Sequence, residues 1–175
     1  MSKKKLSVIV IISILLNIGL IWFASSVHHE NNKIKEAIIL QYSTQQSETL
    51  TELERALDAD GDEVEFIKGL TSAYGMIYHN DILTRPYTSA GHVIGIPENI
   101  FNINSNYTSQ AVGSALFDQP LSNEEIVNLE TYTSYVAQIV KKLDYHNKIE
   151  GQTLKQQYKV LDEVSELIDG FNLGN

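Results

Sequence analysis

Two groups of residues in this 175-residue chain have the types and spacing to do chemistry. Asp58-Ala59-Asp60-Gly61-Asp62 sets three carboxylates at alternate positions. Carboxylate oxygens are hard donors of the kind a calcium ion takes. Arg85, Tyr87, His92 and Tyr107 lie in a polar, aromatic stretch, and Arg85 is the only lysine or arginine between Lys68 and Lys141. An isolated guanidinium presents a planar fork of donors that grips a carboxylate on a ligand or a protein partner. It serves equally well to pair with an acid of its own domain.

The aspartate run resembles the first half of an EF-hand calcium loop, D-x-D-x-D. The second half departs from that pattern. The sixth position is Glu63 where glycine permits the sharp turn, the eighth is Glu65, and the twelfth is Gly69 in place of the bidentate glutamate. The competing reading is a link between two helices. There Asp62 caps the second helix and Asp62-x-x-Glu65 forms a capping box. The sequence favours the cap, so no metal is expected, and Asp58, Asp60 and Asp62 are the calcium candidates otherwise. His28-His29-Glu30 puts two histidines on different faces of a helix, which makes a poor joint metal site. They read as interfacial or solvated residues.

Catalytic signatures are missing. The chain has no cysteine, no HExxH, no glycine-rich phosphate loop and no GxSxG elbow. No enzyme and no cofactor are expected.

The elements that would position these residues begin with an apolar run. Leu6–Ala24 holds 19 uncharged residues, among which only Ser7, Ser13 and Asn17 are polar. As a helix it reaches roughly 28 Å, close to the ~30 Å hydrocarbon thickness of a bilayer. Lys3, Lys4 and Lys5 precede it, and Trp22 and Phe23 sit at its far end. The positive-inside bias keeps residues 1–5 in the cytoplasm, and the aromatic pair suits the opposite interface. A single-pass signal-anchor at residues 6–24 follows, with the rest of the chain extracytoplasmic. Cleavage after Ser26 is the alternative, because Ala24-Ser25-Ser26 offers small residues. The run is longer than a usual signal-peptide core of about 7–15 residues.

Residues 27–175 carry 22 acidic and 10 basic side chains, a formal charge of −12. Such a surface does not bind nucleic acid or anionic headgroups by charge. The absence of cysteine in an exported domain suits a bacterial surface better than a small secreted animal domain. Asn106-Tyr107-Thr108 fits a glycosylation sequon, which carries no meaning on a bacterial protein.

Four segments outside the apolar run have helical periodicity. The first covers about His28–Leu57 and continues directly from the membrane helix, with a stripe of Ile34, Ile38, Tyr42, Leu50, Leu53 and Leu57. Gln45, Gln46 and Ser47 interrupt it, which predicts a stalk below and packing from Leu50 upward. The second starts after Asp62 and groups Val64, Ile67, Leu70, Tyr74, Ile77 and Tyr78 on one face. Gly69, Ala73 and Gly75 within it predict either a close helix crossing or a kink near Gly75.

The third starts at the capping box Ser122-x-x-Glu125 and ends near residues 146–151. Its core face is Ile126, Leu129, Thr133, Val136, Val140 and Leu143. The fourth runs from Thr153 with Leu154, Tyr158, Leu161, Ser165 and Ile168 inward and Gly170 as C-cap. Tyr87, Tyr107, Tyr135 and Tyr145 read as exposed. Residues 83–121, with all three prolines, read as an irregular loop. Within it 93–96 and 100–103 are a candidate β-hairpin and 110–117 a candidate short helix.

The resulting expectation is a mainly α protein. It comprises a transmembrane helix and a bundle of about four helices capped by the loop, with residues 27–57 as stalk and first bundle helix and 58–175 as the remainder. A charge-poor loop on an anchored, non-catalytic domain predicts an interaction module that binds another envelope or membrane protein. The alternative is a helical sensor of a small ligand or cation acting through a partner.

Overall fold

The computed structural model describes the backbone of residues 3–89, 109–117 and 121–173, and side chains over 11–79, 112–116 and 121–171. It is mainly helical, and no strand occurs among the described residues. Among the described residues five α-helices follow in order: α1 Lys3–Leu57, α2 Glu63–Ser89, α3 Ser109–Phe117, α4 Asn123–Leu143 and α5 Leu154–Leu173. A π-helical turn, Tyr145–Ile149, sits between α4 and α5.

The chain divides into two compact units, Met1–Ala37 and Ile38–Asn175. The described residues of the first, 3–37, are helical. Among the described residues one helix, near the N-terminus, is long and apolar enough to cross a membrane. Between Ile11 and Phe23 its large apolar side chains are all exposed.

The second unit packs one hydrophobic core drawn from every helix. α1 supplies Ile38, Ile39, Tyr42, Leu53 and Ala56, and α2 supplies Leu70, Ala73 and Ile77. α3 contributes Val112 and Ala115 and lies against α2 and α4. α4 and α5 pack on each other, with Leu129, Val136, Ile139 and Leu143 facing Leu161, Val164 and Ile168 into the same core.

Several starts and stops follow local chemistry. At Ser122 the hydroxyl accepts the Glu125 amide at 3.2 Å while the Glu125 carboxylate accepts the Ser122 amide at 2.7 Å. Both halves of the capping box are present. Thr153 opens α5 similarly, its amide donating to Gln156 Oε1 at 3.0 Å. α4 ends at Asp144 in the left-handed region, φ 40°. The chain then takes one π turn, closed by Glu150 N–H to Tyr145 O at 2.8 Å.

The structure corrects five expectations. Packing starts at Ile38, not Leu50, because Gln45, Gln46 and Thr49 are themselves buried. α2 turns a narrower face inward. Leu70, Ala73 and Ile77 are core while Val64 and Tyr78 are 73% and 57% exposed. On α4, Tyr135 is buried and Ile126 is exposed. α5 runs through Gly170 to Leu173, so Gly170 is no C-cap. Finally, residues 83–89 continue α2, so this part of the expected irregular loop is helical, while the short helix expected at 110–117 is present as α3. The hairpin candidate at 93–96 and 100–103 lies outside the described residues.

The small residues of α2 resolve into two roles. A Cβ on Gly69 would meet the Glu52 carbonyl oxygen at 2.8 Å and Ala56 Cβ at 2.9 Å. The close crossing is therefore at Gly69, where α2 meets α1. A Cβ on Gly75 would meet nothing within 4 Å, and the helix is continuous through it.

Candidate functional site

The aspartate turn is built by backbone and cap geometry. Asp58 N–H closes on Glu54 O at 2.9 Å, and Asp62 N–H on Ala59 O at 2.8 Å. Asp60 and Gly61 both take positive φ, 43° and 89°, which reverses the chain within four residues. Asp62 Oδ1 then accepts the amides of Val64 at 3.0 Å and Glu65 at 3.1 Å. One oxygen of the third carboxylate is thus committed to the first turn of α2. Among the described residues, no group of three or more His, Cys, Asp or Glu side chains is arranged to hold a metal ion.

Only half of the expected Asp62–Glu65 capping box forms. The Glu65 carboxylate goes instead to Arg55, 3.1 Å from its guanidinium, and to Lys68 Nζ at 3.3 Å. Arg55 also reaches Glu52 at 3.4 Å. This network ties α1 to α2 above the Gly69 crossing. Its members are partly exposed, so each pair contributes only about 0.2–1 kcal/mol.

Arg85 and Tyr87 fall on the helical backbone of α2, and their side chains lie outside the described residues. His92 and Tyr107 lie outside them altogether. His79, six residues before Arg85, meets Gln45 of α1, with Gln45 Nε2 at 3.3 Å from His79 Nδ1. His28 is exposed and its Nε2 is 3.2 Å from Asn32 Nδ2.

Two features were missed in reading the sequence. The first is a polar, aromatic layer inside the core. Tyr42 on α1 lies with Tyr132 and Tyr135 on α4, and the Tyr135 ring stacks on Phe171 with centroids 3.9 Å apart. Burial pushes the Tyr42 phenol well above its ordinary pKa, and the neighbouring Tyr135 and Tyr132 add to the shift. Tyr135 is raised for the same first reason, with Tyr132 and Asp169 contributing. These phenols stay neutral across the physiological range. On α5, buried Gln157 donates to Ile149 O at 3.0 Å and Gln152 O at 3.3 Å, fixing the π turn to the helix.

The second feature is the outer face of α2. Val64, Ile67, Thr71, Gly75 and Tyr78 recur at spacings of three and four, so they share one side. Val64, Ile67 and Tyr78 are exposed at 73%, 36% and 57%. Thr71 turns its hydroxyl back to the Ile67 carbonyl at 2.7 Å, so it offers the outside a methyl rather than a donor. The signal was present in the sequence as surplus apolar residues, more than one helix face can bury.

No protein-family model, no curated protein and no solved structure matches this chain.

Proposed function

We propose that the protein is a non-enzymatic, membrane-anchored interaction module. Residues 6–24 cross the membrane with the N-terminus in the cytoplasm. The second unit is an extracytoplasmic helical bundle that binds another envelope or membrane protein.

The observation that carries this reading is the exposed α2 stripe. Val64, Ile67 and Tyr78 are left outside a core that already takes Leu70, Ala73 and Ile77 from the same helix. Amphipathic faces of this spacing bind partners by laying apolar side chains into a groove. Tyrosine is favoured at such surfaces because it brings large contact area with few torsions to freeze. Arg85, Tyr87, His92 and Tyr107 remain the polar candidates for the same contact. The aspartate turn adds little to a cation-sensing role, since Asp62 is engaged by two backbone amides.

The test is photocrosslinking in the native membrane, with the probe at Val64 or Tyr78 and a control at outward-facing Glu166. One dominant heterologous product from the first two positions, absent from the control, is expected. Equal, background labelling from all three removes the proposal. A melting temperature raised by calcium or by a metabolite would transfer the function to ligand sensing.

A further inference from the structure

We infer that the chain forms a parallel homodimer along the first unit. The seam runs up one face of α1 from Ser13 to Ile34. This inference rests on the membrane-spanning reading of residues 6–24.

The argument starts with spacing. Positions 13, 20, 27 and 34 alternate with 17, 24 and 31 in steps of four and three. That is the 3.5-residue repeat that keeps two left-handed supercoiled helices in contact. The first set carries Leu20, Val27 and Ile34, and the second carries Asn17, Ala24 and Asn31. Between residues 25 and 37, Val27 and Ile34 are the only large apolar side chains, and they lie one heptad apart. Leu20, Val27 and Ile34 are 64%, 44% and 47% exposed, so nothing in their own chain covers them. His29, Lys33 and Glu36 take the outward positions of the repeat. The next seam position, Ile38, is already buried in the core of the second unit, which ends the seam.

Two observations select a second copy as the occupant. The first is the asparagines. Asn17 gives one amide hydrogen to the Ser13 carbonyl at 2.8 Å. Hydrocarbon offers no water for its remaining donor and acceptor. An amide is both donor and acceptor, so Asn17 of an in-register copy satisfies it across a two-fold axis. Asn31 occupies the same seam position two heptads on, and an asparagine at this position fixes parallel register at some cost in stability.

The second observation is charge. Glu30 and Lys35 flank the seam five residues apart. In a parallel pair, each Glu30 faces Lys35 of the other copy. An antiparallel pair sets glutamate against glutamate. The present Glu30–Lys33 contact at 3.2 Å is an exposed pair that exchanges readily.

The absence of native cysteine allows a direct test in the full-length chain. Single substitutions Ala24→Cys, Val27→Cys and Ile34→Cys report the seam. His29→Cys, Lys33→Cys and Glu36→Cys report the outward face. Oxidation in native membranes should give disulfide dimers at the seam at least several-fold above the outward positions. In the Ile34→Cys background, Glu30→Lys should lower the dimer yield, and Glu30→Lys with Lys35→Glu should restore it. Equal yields at all six positions, no dimer at any, or no rescue by the charge swap overturns the inference. So does a maximum on the face of Ile12, Leu16 and Gly19 when cysteines are placed there, or a seam adduct with a different protein. Sedimentation of the same samples with membranes reads the anchor separately, and labelling from Tyr78 reads the partner separately.

Discussion

At the scale of single residues, the chemistry is committed to holding helix ends and core. Asp62 places one oxygen on two amides of α2. Asp62→Ala should therefore lower stability by about 1 kcal/mol, read as an earlier thermal melt. Calcium should leave the wild-type melt unchanged. Glu125 is held below its ordinary value near 4.5, first by the Ser122 backbone amide and then by the Ser122 hydroxyl. A carboxylate depressed in the folded state adds stability above its unfolded pKa and loses it as pH falls through its folded pKa. Melts between neutral pH and pH 3 should thus fall less steeply in Ser122→Ala than in wild type. The tyrosines behave in the opposite sense. Tyr42 and Tyr135 are raised by burial, so the stability they contribute is complete below pH 10 and is lost as pH rises. Alkaline titration followed by phenolate absorbance should show these two ionising only with unfolding.

At the scale of elements, the two glycines of α2 make opposite predictions. Gly69→Ala drives a methyl into the Glu52 carbonyl and Ala56 of α1. Overpacking of this kind costs about 1–3 kcal/mol. Gly75→Ala enters open space on a continuous helix and should stabilise by about 0.5–1 kcal/mol. Denaturant unfolding of the two variants measures both values, and equal effects would mean that α1 and α2 do not cross at Gly69. Sequence patterns located these elements well where a side chain acts on its own backbone. Ser122-x-x-Glu125 opens α4 and Thr153 opens α5. The patterns misjudged which face turns inward, because α2 and α4 each carry more apolar and aromatic residues than one face accommodates.

For the whole molecule, the division at Ala37–Ile38 separates an apolar helix from a unit with its own core. The chain should stay with membranes through alkaline carbonate washing. A chain lacking residues 3–24 should be soluble and melt cooperatively through the second unit. Aggregation of that shortened chain would show that the exposed stripes need cover to remain in solution.

Composition, hydropathy and short motifs determined the mainly helical class, the membrane-length run at residues 6–24 and the capped starts of α2 and α4. Each depends on a residue and its neighbours within one or two turns. Tertiary structure alone decided that Gln45, Gln46 and Tyr135 are core, that Gly69 is a crossing point and Gly75 is not, and that residues 83–89 extend α2. It also decided that Val64 and Tyr78 remain outside. These outcomes depend on which helix lies opposite, and burial is a property of the pair of faces rather than of either sequence segment.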